Sequence, residues 1–209
     1  MKLTAQIFLT LDGVMQGPGA AAEDPSDGFD RGGWLVPRRD PDMDRIVAQW
    51  YSRAEAILLG RNTFTAMRGY WPHVTDPGNA IATALNGLPK YVVSHTIDTP
   101  GWDHTAVLAD DPLAGITALK QRPGGELQVH GSCRLVQALH RAGLIDEYRL
   151  VTFPVCVGTG KRLFTPDAPA TGFRLVDSAT TSAGAVYTAL TPEPFTTADV
   201  AVAGGRELR

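Results

Sequence analysis

From residue 3 to residue 11 apolar side chains take every second position, at Leu3, Ala5, Ile7, Leu9 and Leu11. That period of two predicts a strand over 3–11, ended by the turn pair Asp12-Gly13. The period then changes. Met43, Ile46, Val47 and Trp50 form the i, i+3, i+4, i+7 stripe of a packed helix, and Asp40-Pro41 supplies an N-cap followed by proline at the first helical position. The apolar run 56–59, stopped by Gly60, reads as a buried strand, and Arg61-Asn62-Thr63 opens a helix with Phe64 and Met67 inward. A helix over 80–88, a strand over 90–94 and a strand over 105–108 follow. Asp111-Pro112 then starts a helix with Leu113, Ile116 and Leu119 inward.

The stretch 127–139 organises the rest. Leu127 and Val129 are strand-like, Gly131 permits an abrupt turn, Ser132 is a good N-cap residue, and Leu135, Val136 and Leu139 recur at helical spacing. A helix start of this kind carries unpaired N–H groups and seats anions. Arg134 in its first turn opposes the helix dipole, a cost that a docked phosphate would offset. The alternative is that Ser132 only caps and Arg134 is solvated. A strand over 146–155 precedes Gly158-Thr159-Gly160, and a hairpin of 174–181 with 185–190 closes across Ser182-Ala183-Gly184.

Early strands alternate with helices and late ones do not. This predicts an α/β domain over 1–192 whose mixed sheet is parallel in its middle and antiparallel at its C-terminal end, followed by a poorly packed tail over 193–209. Ligands of such sheets sit beyond the carboxyl ends of the strands. The candidates there are Asp12, Gly60-Arg61, Ser94-His95 and Gly131-Ser132. The glycine- and proline-rich stretch 16–33 reads as a lid or binding loop. Its Phe29 and Trp34 either cover a ligand or pin the loop to the core, and pinning is favoured.

With 209 residues, 44% of them hydrophobic, the chain can bury one sizeable core. A net charge of -3 with no basic run gives no electrostatic case for nucleic acid or an anionic membrane. Cys133 and Cys156 lack metal-ligand or disulfide-framework spacing, the five histidines are dispersed, and no metal is expected. The N-terminus holds too short an apolar run for a signal peptide, and no stretch reaches membrane-span length, so a soluble cytoplasmic protein is expected. The G-x-G-x-x-G fingerprint, the phosphate-loop lysine motif and the G-x-S-x-G elbow are absent.

Several short runs occur together: Thr10-Leu11-Asp12-Gly13-Val14, Gly32-Gly33-Trp34, Leu59-Gly60-Arg61-Asn62-Thr63-Phe64, Tyr70-Trp71-Pro72, Lys90-Tyr91-Val92-Val93-Ser94, Val129-His130-Gly131-Ser132, Asp146-Glu147-Tyr148-Arg149-Leu150 and 154–164. In this order they resemble the dihydrofolate reductase superfamily. More closely, they resemble the C-terminal reductase domain of the bifunctional riboflavin-biosynthesis deaminase/reductase and its stand-alone relatives. The resemblance implies a three-layer dihydrofolate reductase-like fold with helices on both faces of the sheet. It implies NADPH as cofactor, a small pyrimidine- or pterin-like substrate and a homodimer.

By the same resemblance Gly60, Arg61, Asn62 and Thr63 hold phosphates, with Arg61 at the adenosine 2′-phosphate flanked by Ser94 and His95. Gly131, Ser132, Cys133 and Arg134 cradle the pyrophosphate, where Ser132 and Cys133 replace a run of glycines. Gly158 and Gly160 turn beside the nicotinamide, or are only a loop between strands. Asp12 and Asp44 are the candidate proton donors. The alternatives are a turn-forming aspartate at 12 and a first-turn helix acid at 44, the latter favoured. Phe29, Trp34, Tyr70 and Trp71 shape the substrate pocket. The deaminase zinc motif is absent. Competing readings are dihydrofolate reductase, a flavin reductase-like protein and a non-catalytic NADP(H)-binding module.

Overall fold

A computed structural model describes residues 1–199 and the backbone of 201–203 and 206–208. Eight strands form one sheet: β1 (Lys2–Thr10), β2 (Ala54–Gly60), β3 (Lys90–Val93), β4 (Thr105–Leu108), β5 (Glu126–Val129), β6 (Glu147–Phe153), β7 (Thr171–Thr180) and β8 (Val186–Pro194). Their order is β4-β3-β2-β5-β1-β6-β8-β7. The pairings from β4 through β6 are parallel, whereas β8 runs antiparallel to both β6 and β7. Parallel neighbours require crossovers, and the helices supply them. These are α1 (Pro41–Arg53), α2 (Arg61–Arg68), α3 (Ala80–Gly87), α4 (Pro112–Lys120) and α5 (Cys133–Arg141).

Two apolar clusters lie on opposite faces of the sheet. One holds Met43, Ile46, Val47 and Trp50 of α1, Phe64 of α2 and Leu85 of α3 against Ile57 and Leu59. The other holds Ile116, Leu119, Leu135, Val136 and Leu139 of α4 and α5 against Leu3, Ala5, Ile7, Ala56 and Leu58. Successive residues of β2 thus feed opposite layers, which is why its apolar run is unbroken. The fold is the three-layer dihydrofolate reductase-like α/β architecture expected from the sequence.

Boundaries shift where polar ends compete with the sheet. β1 stops at Thr10 and Leu11 is 72% exposed, so the alternating pattern overran the strand by one position. Ser94 lies just past β3, in a turn. β6 is shorter than expected at both ends, whereas β7 begins at Thr171. β8 continues through Pro194, so Glu193 and Pro194 belong to the sheet and not to a tail. Residues 201–203 and 206–208 pair as a short antiparallel ribbon. Residues 200, 204, 205 and 209 of the expected tail lie outside the described residues.

Asp40 caps α1 as its sequence position implies, accepting from the Met43 N–H at 2.8 Å. Its other oxygen accepts from the Ala183 N–H, and Asp42 accepts from the Ser182 N–H at 3.0 Å. The tip of the β7–β8 hairpin is thereby tied to the start of α1. At the strand starts, far from the strand exits, buried Arg149 bonds Glu126 at 2.6 and 2.8 Å and Glu147 at 2.7 Å. The charges of the Asp146–Leu150 run are thus paired within the fold, and their role is structural.

Candidate functional site

The exits of β2 and β5 are neighbours in the sheet, and each leads through a glycine into a helix. The Gly60 N–H donates to the Gly131 carbonyl at 3.0 Å. Gly60 has φ -77, which any residue adopts, so conformational freedom does not explain it. Space does: a Cβ there would lie 2.5 Å from Ser132 Oγ and 2.9 Å from Ser132 N. Gly131 has φ +119, and a Cβ would meet Thr63 Oγ1 at 2.9 Å. Each glycine makes room for a residue at the start of the other's helix: Gly60 for Ser132 and Gly131 for Thr63. The starts of α2 and α5 lie side by side, with their first N–H groups at the carboxyl edge of the sheet.

Ser132 occupies the N-cap position of α5 but makes no side-chain bond to that helix. Its hydroxyl accepts from the Thr63 N–H of α2 at 3.3 Å and lies 3.2 Å from Thr63 Oγ1. The capping role read from the sequence therefore goes to the neighbouring helix. Cys133 points inward, with Sγ 3.2 Å from the Arg162 carbonyl, and burial pushes its thiol up to about 11. Only its backbone can serve an anion. Arg134 is exposed beside Lys161 and Arg162 in a cleft of about 290 Å³.

Arg61 extends from the start of α2 across to Thr96, with Nη1 3.3 Å from Thr96 Oγ1. Ser94 Oγ accepts from the N–H groups of Thr96 and Ile97 at 3.1 and 3.2 Å, and so builds the turn that presents Thr96. His95 and Asn62 are exposed on either side. At the β5 exit His130 stacks on Tyr51, with ring centroids 4.9 Å apart. Burial pushes His130 down to about 3, which makes it a neutral packing residue.

The β1 exit is built differently. Asp12 accepts from the Thr10 hydroxyl at 2.6 Å, from the Gly158 N–H at 2.8 Å and from the Val157 N–H at 3.2 Å. These donors, Thr10 foremost, hold its pKa down at about 2. At neutral pH the carboxylate has no proton to give. Asp12 thus ties the β1 exit to the turn after β6. Gly158 and Gly160 both have positive φ in this turn, and a Cβ on Gly160 would meet Val14 at 2.7 Å and Phe29 at 3.0 Å.

Asp44 lies in the first turn of α1 and pairs with Arg39 at 2.7 Å, the helix-start role favoured by the sequence. The lid is stitched down throughout. Buried Gln16 donates to the Asp24 and Ser26 carbonyls at 3.0 Å, and its carbonyl accepts from Trp34 Nε1 at 2.8 Å. Lys161 bonds Asp24 at 2.7 Å, and Arg31 bonds the Val157 carbonyl. Phe29 and Trp34 are 6% and 8% exposed, so both pin the lid to the core instead of lining an open pocket. Tyr70 is 62% exposed and packs edge-on against partly buried Trp71 at 5.1 Å, leaving this pair free for contact. Gln16 and Arg31 carried no motif, and the bonds of Lys161 to Asp24 and of Arg31 to Val157 join segments more than a hundred residues apart.

A family description, the RibD C-terminal domain, matches residues 1–187. The chain belongs to the RibD C-terminal domain family. The uncharacterized protein YyaP of Bacillus subtilis (strain 168) is 28% identical over 188 residues, covering 88% of this chain and 92% of its own length. Among solved structures, a putative riboflavin biosynthesis protein from Shewanella sp. PV-4 superposes with a TM-score of 0.69 at 20% identity, covering 93% of this chain and 100% of that one. Dihydrofolate reductase from Enterococcus faecalis, complexed with NADP(H) and RAB-propyl, superposes with a TM-score of 0.60 at 13% identity over 92% and 97% of the two chains. At these identities the structural likenesses establish the fold that this RibD C-terminal domain shares with dihydrofolate reductase.

Proposed function

We propose that this chain is an NADPH-dependent reductase that transfers a hydride to a small pyrimidine- or pterin-like heterocycle, in the manner of the riboflavin-pathway reductases. The observation that carries the reading is the pair of interlocked helix starts at the β2 and β5 exits, with Arg61 beside them. Two adjacent sets of backbone N–H groups suit the two phosphates of a dinucleotide. The Arg61 guanidinium suits a further phosphate on the adenosine ribose, which NADPH has and NADH lacks. Family membership and the NADP(H) complex of the Enterococcus enzyme support the same choice.

In this reading the backbones of Arg61, Asn62, Cys133 and Arg134 hold the diphosphate, and Gly131 lets it approach. Thr96, on the turn built by Ser94, and His95 accompany Arg61. NADPH supplies the hydride; the protein's part is to orient it and exclude water. Asp12 holds the 157–160 turn in place beside the acceptor. Tyr70 and Trp71 offer aromatic faces for a planar heterocycle. The exposed edge strand β7, which carries Leu175 and Val176, is the face a second copy would cover in a homodimer.

The test is equilibrium binding of NADPH and NADH, read by quenching of the chain's four tryptophans, for wild type and Arg61→Ala. The proposal expects NADPH to bind at least about tenfold more tightly than NADH, and Arg61→Ala to remove most of that preference. Absence of binding by either nucleotide would contradict it.

A further inference from the structure

The serine in the 130–134 stretch does something its position does not announce. An N-cap serine ordinarily accepts from the second or third N–H of its own helix. Ser132 has the extended backbone of an N-cap, φ -78 and ψ 168, yet its side chain bonds nothing in α5. Its hydroxyl instead accepts the N–H of Thr63, the third helical residue of α2. The N-cap residue of α2 is Gly60, which has no side chain to offer, and the Gly60 Cα faces Ser132 closely enough that a Cβ would strike its hydroxyl. The cap of α2 is thus supplied from α5, 69 residues away.

Two consequences follow. The Thr63 N–H is occupied, which leaves the Arg61 and Asn62 N–H groups ahead of it as the open donors of α2. The first N–H groups of α5 have no side-chain cap and stay open as well. The same hydroxyl that fixes the distance between the helix starts also determines which donors remain for a ligand.

We infer that Ser132 is a positioning residue for the cofactor's diphosphate, capping α2 from α5 so that the two helix starts present their open N–H groups at a fixed spacing. The inference rests on the proposal that NADPH binds here, and it goes beyond direct contact: the hydroxyl acts through Thr63. A glycine in its place would keep the close approach and lose the tie.

The experiment compares wild type, Ser132→Ala and Ser132→Thr by calorimetric titration with NADPH and with adenosine 2′-monophosphate, a probe that has the 2′-phosphate and no diphosphate. Loss of one positioning hydrogen bond should weaken NADPH by about tenfold in Ser132→Ala. Binding of adenosine 2′-monophosphate should not change, and Ser132→Thr should recover most of the NADPH affinity. Equal weakening of both ligands, or no weakening of NADPH, would overturn the inference while the cofactor reading stands. Failure of the wild type to bind NADPH would remove the cofactor reading and the inference with it. Ser132→Gly, which removes the hydroxyl and keeps the close approach, gives a second arm if Ser132→Ala does not fold. It should weaken NADPH selectively, and an unselective loss would count against the inference.

Discussion

The two sides of the strand-exit crevice are built by opposite means. At the β2 and β5 exits the backbone does the work. Two glycines make room for Ser132 and Thr63 at each other's helix starts, one main-chain bond joins Gly60 to Gly131, and the helix starts follow from the strands that precede them. At the β1 and β6 exits side chains do the work. Asp12, Gln16, Lys161 and Arg31 reach across to main-chain groups or acids on another loop. The first side is rigid because steric fit leaves no slack. The second is held by a set of separable polar bonds, each of which can be cut alone. A dinucleotide held on the rigid side and an acceptor enclosed by the stitched side would experience these differences directly.

The sharpest break on the rigid side is Gly60→Ala. Its added Cβ would sit 2.5 Å from Ser132 Oγ, so the junctions must part. The expected cost is about 1–3 kcal/mol of stability, with loss of NADPH binding, measured by urea unfolding and titration.

On the stitched side the largest effect is expected from Asp12→Asn, which replaces an ionised acceptor of three hydrogen bonds with a neutral amide. The loss should be about 1.5–3 kcal/mol in urea unfolding, with NADPH affinity retained. An unchanged stability with abolished turnover would instead restore Asp12 as a catalytic acid. The pH dependence has a definite sign. The folded pKa is about 2, below the roughly 3.9 of an unfolded aspartate, so this stabilisation is present above about pH 4 and is lost as pH falls toward 2. Asp12→Asn should flatten that part of the acid-unfolding curve.

Lys161→Met should have a smaller effect, about 1 kcal/mol, because Lys161 and Asp24 are only partly buried. Its signature is faster proteolytic nicking within 16–33, while the helix starts stay protected. The smallest effect is expected from Asp42→Ala at the hairpin tie. Equilibrium unfolding should barely move, but the Ser182 amide should exchange its hydrogen faster.

The same division explains what could be read from the sequence. Regular elements and both glycine–helix junctions were legible, because periodicity, caps and turns are local. Asp40-Pro41 and Asp111-Pro112 announce their helices, and both aspartates cap as expected. The direction of individual side chains was not legible. Ser132 has the identity and place of a cap for its own helix, and only the neighbouring glycine shows why it turns away. Asp12 looks like an acid at a strand exit until the 157–158 turn arrives 145 residues later to donate to it. Phe29 and Trp34 could have faced a ligand or the core, and burial decides for the core. The lid's stitching through Gln16 and Lys161 leaves no periodic trace at all.

The most direct test of the central claim is the backbone amide spectrum of the isotopically labelled protein titrated with NADPH. The account predicts the largest shifts at Arg61, Asn62, Cys133 and Arg134, with Gly131 between them, and smaller shifts around Thr96. Shifts concentrated elsewhere, with both helix starts unmoved at saturation, would contradict it.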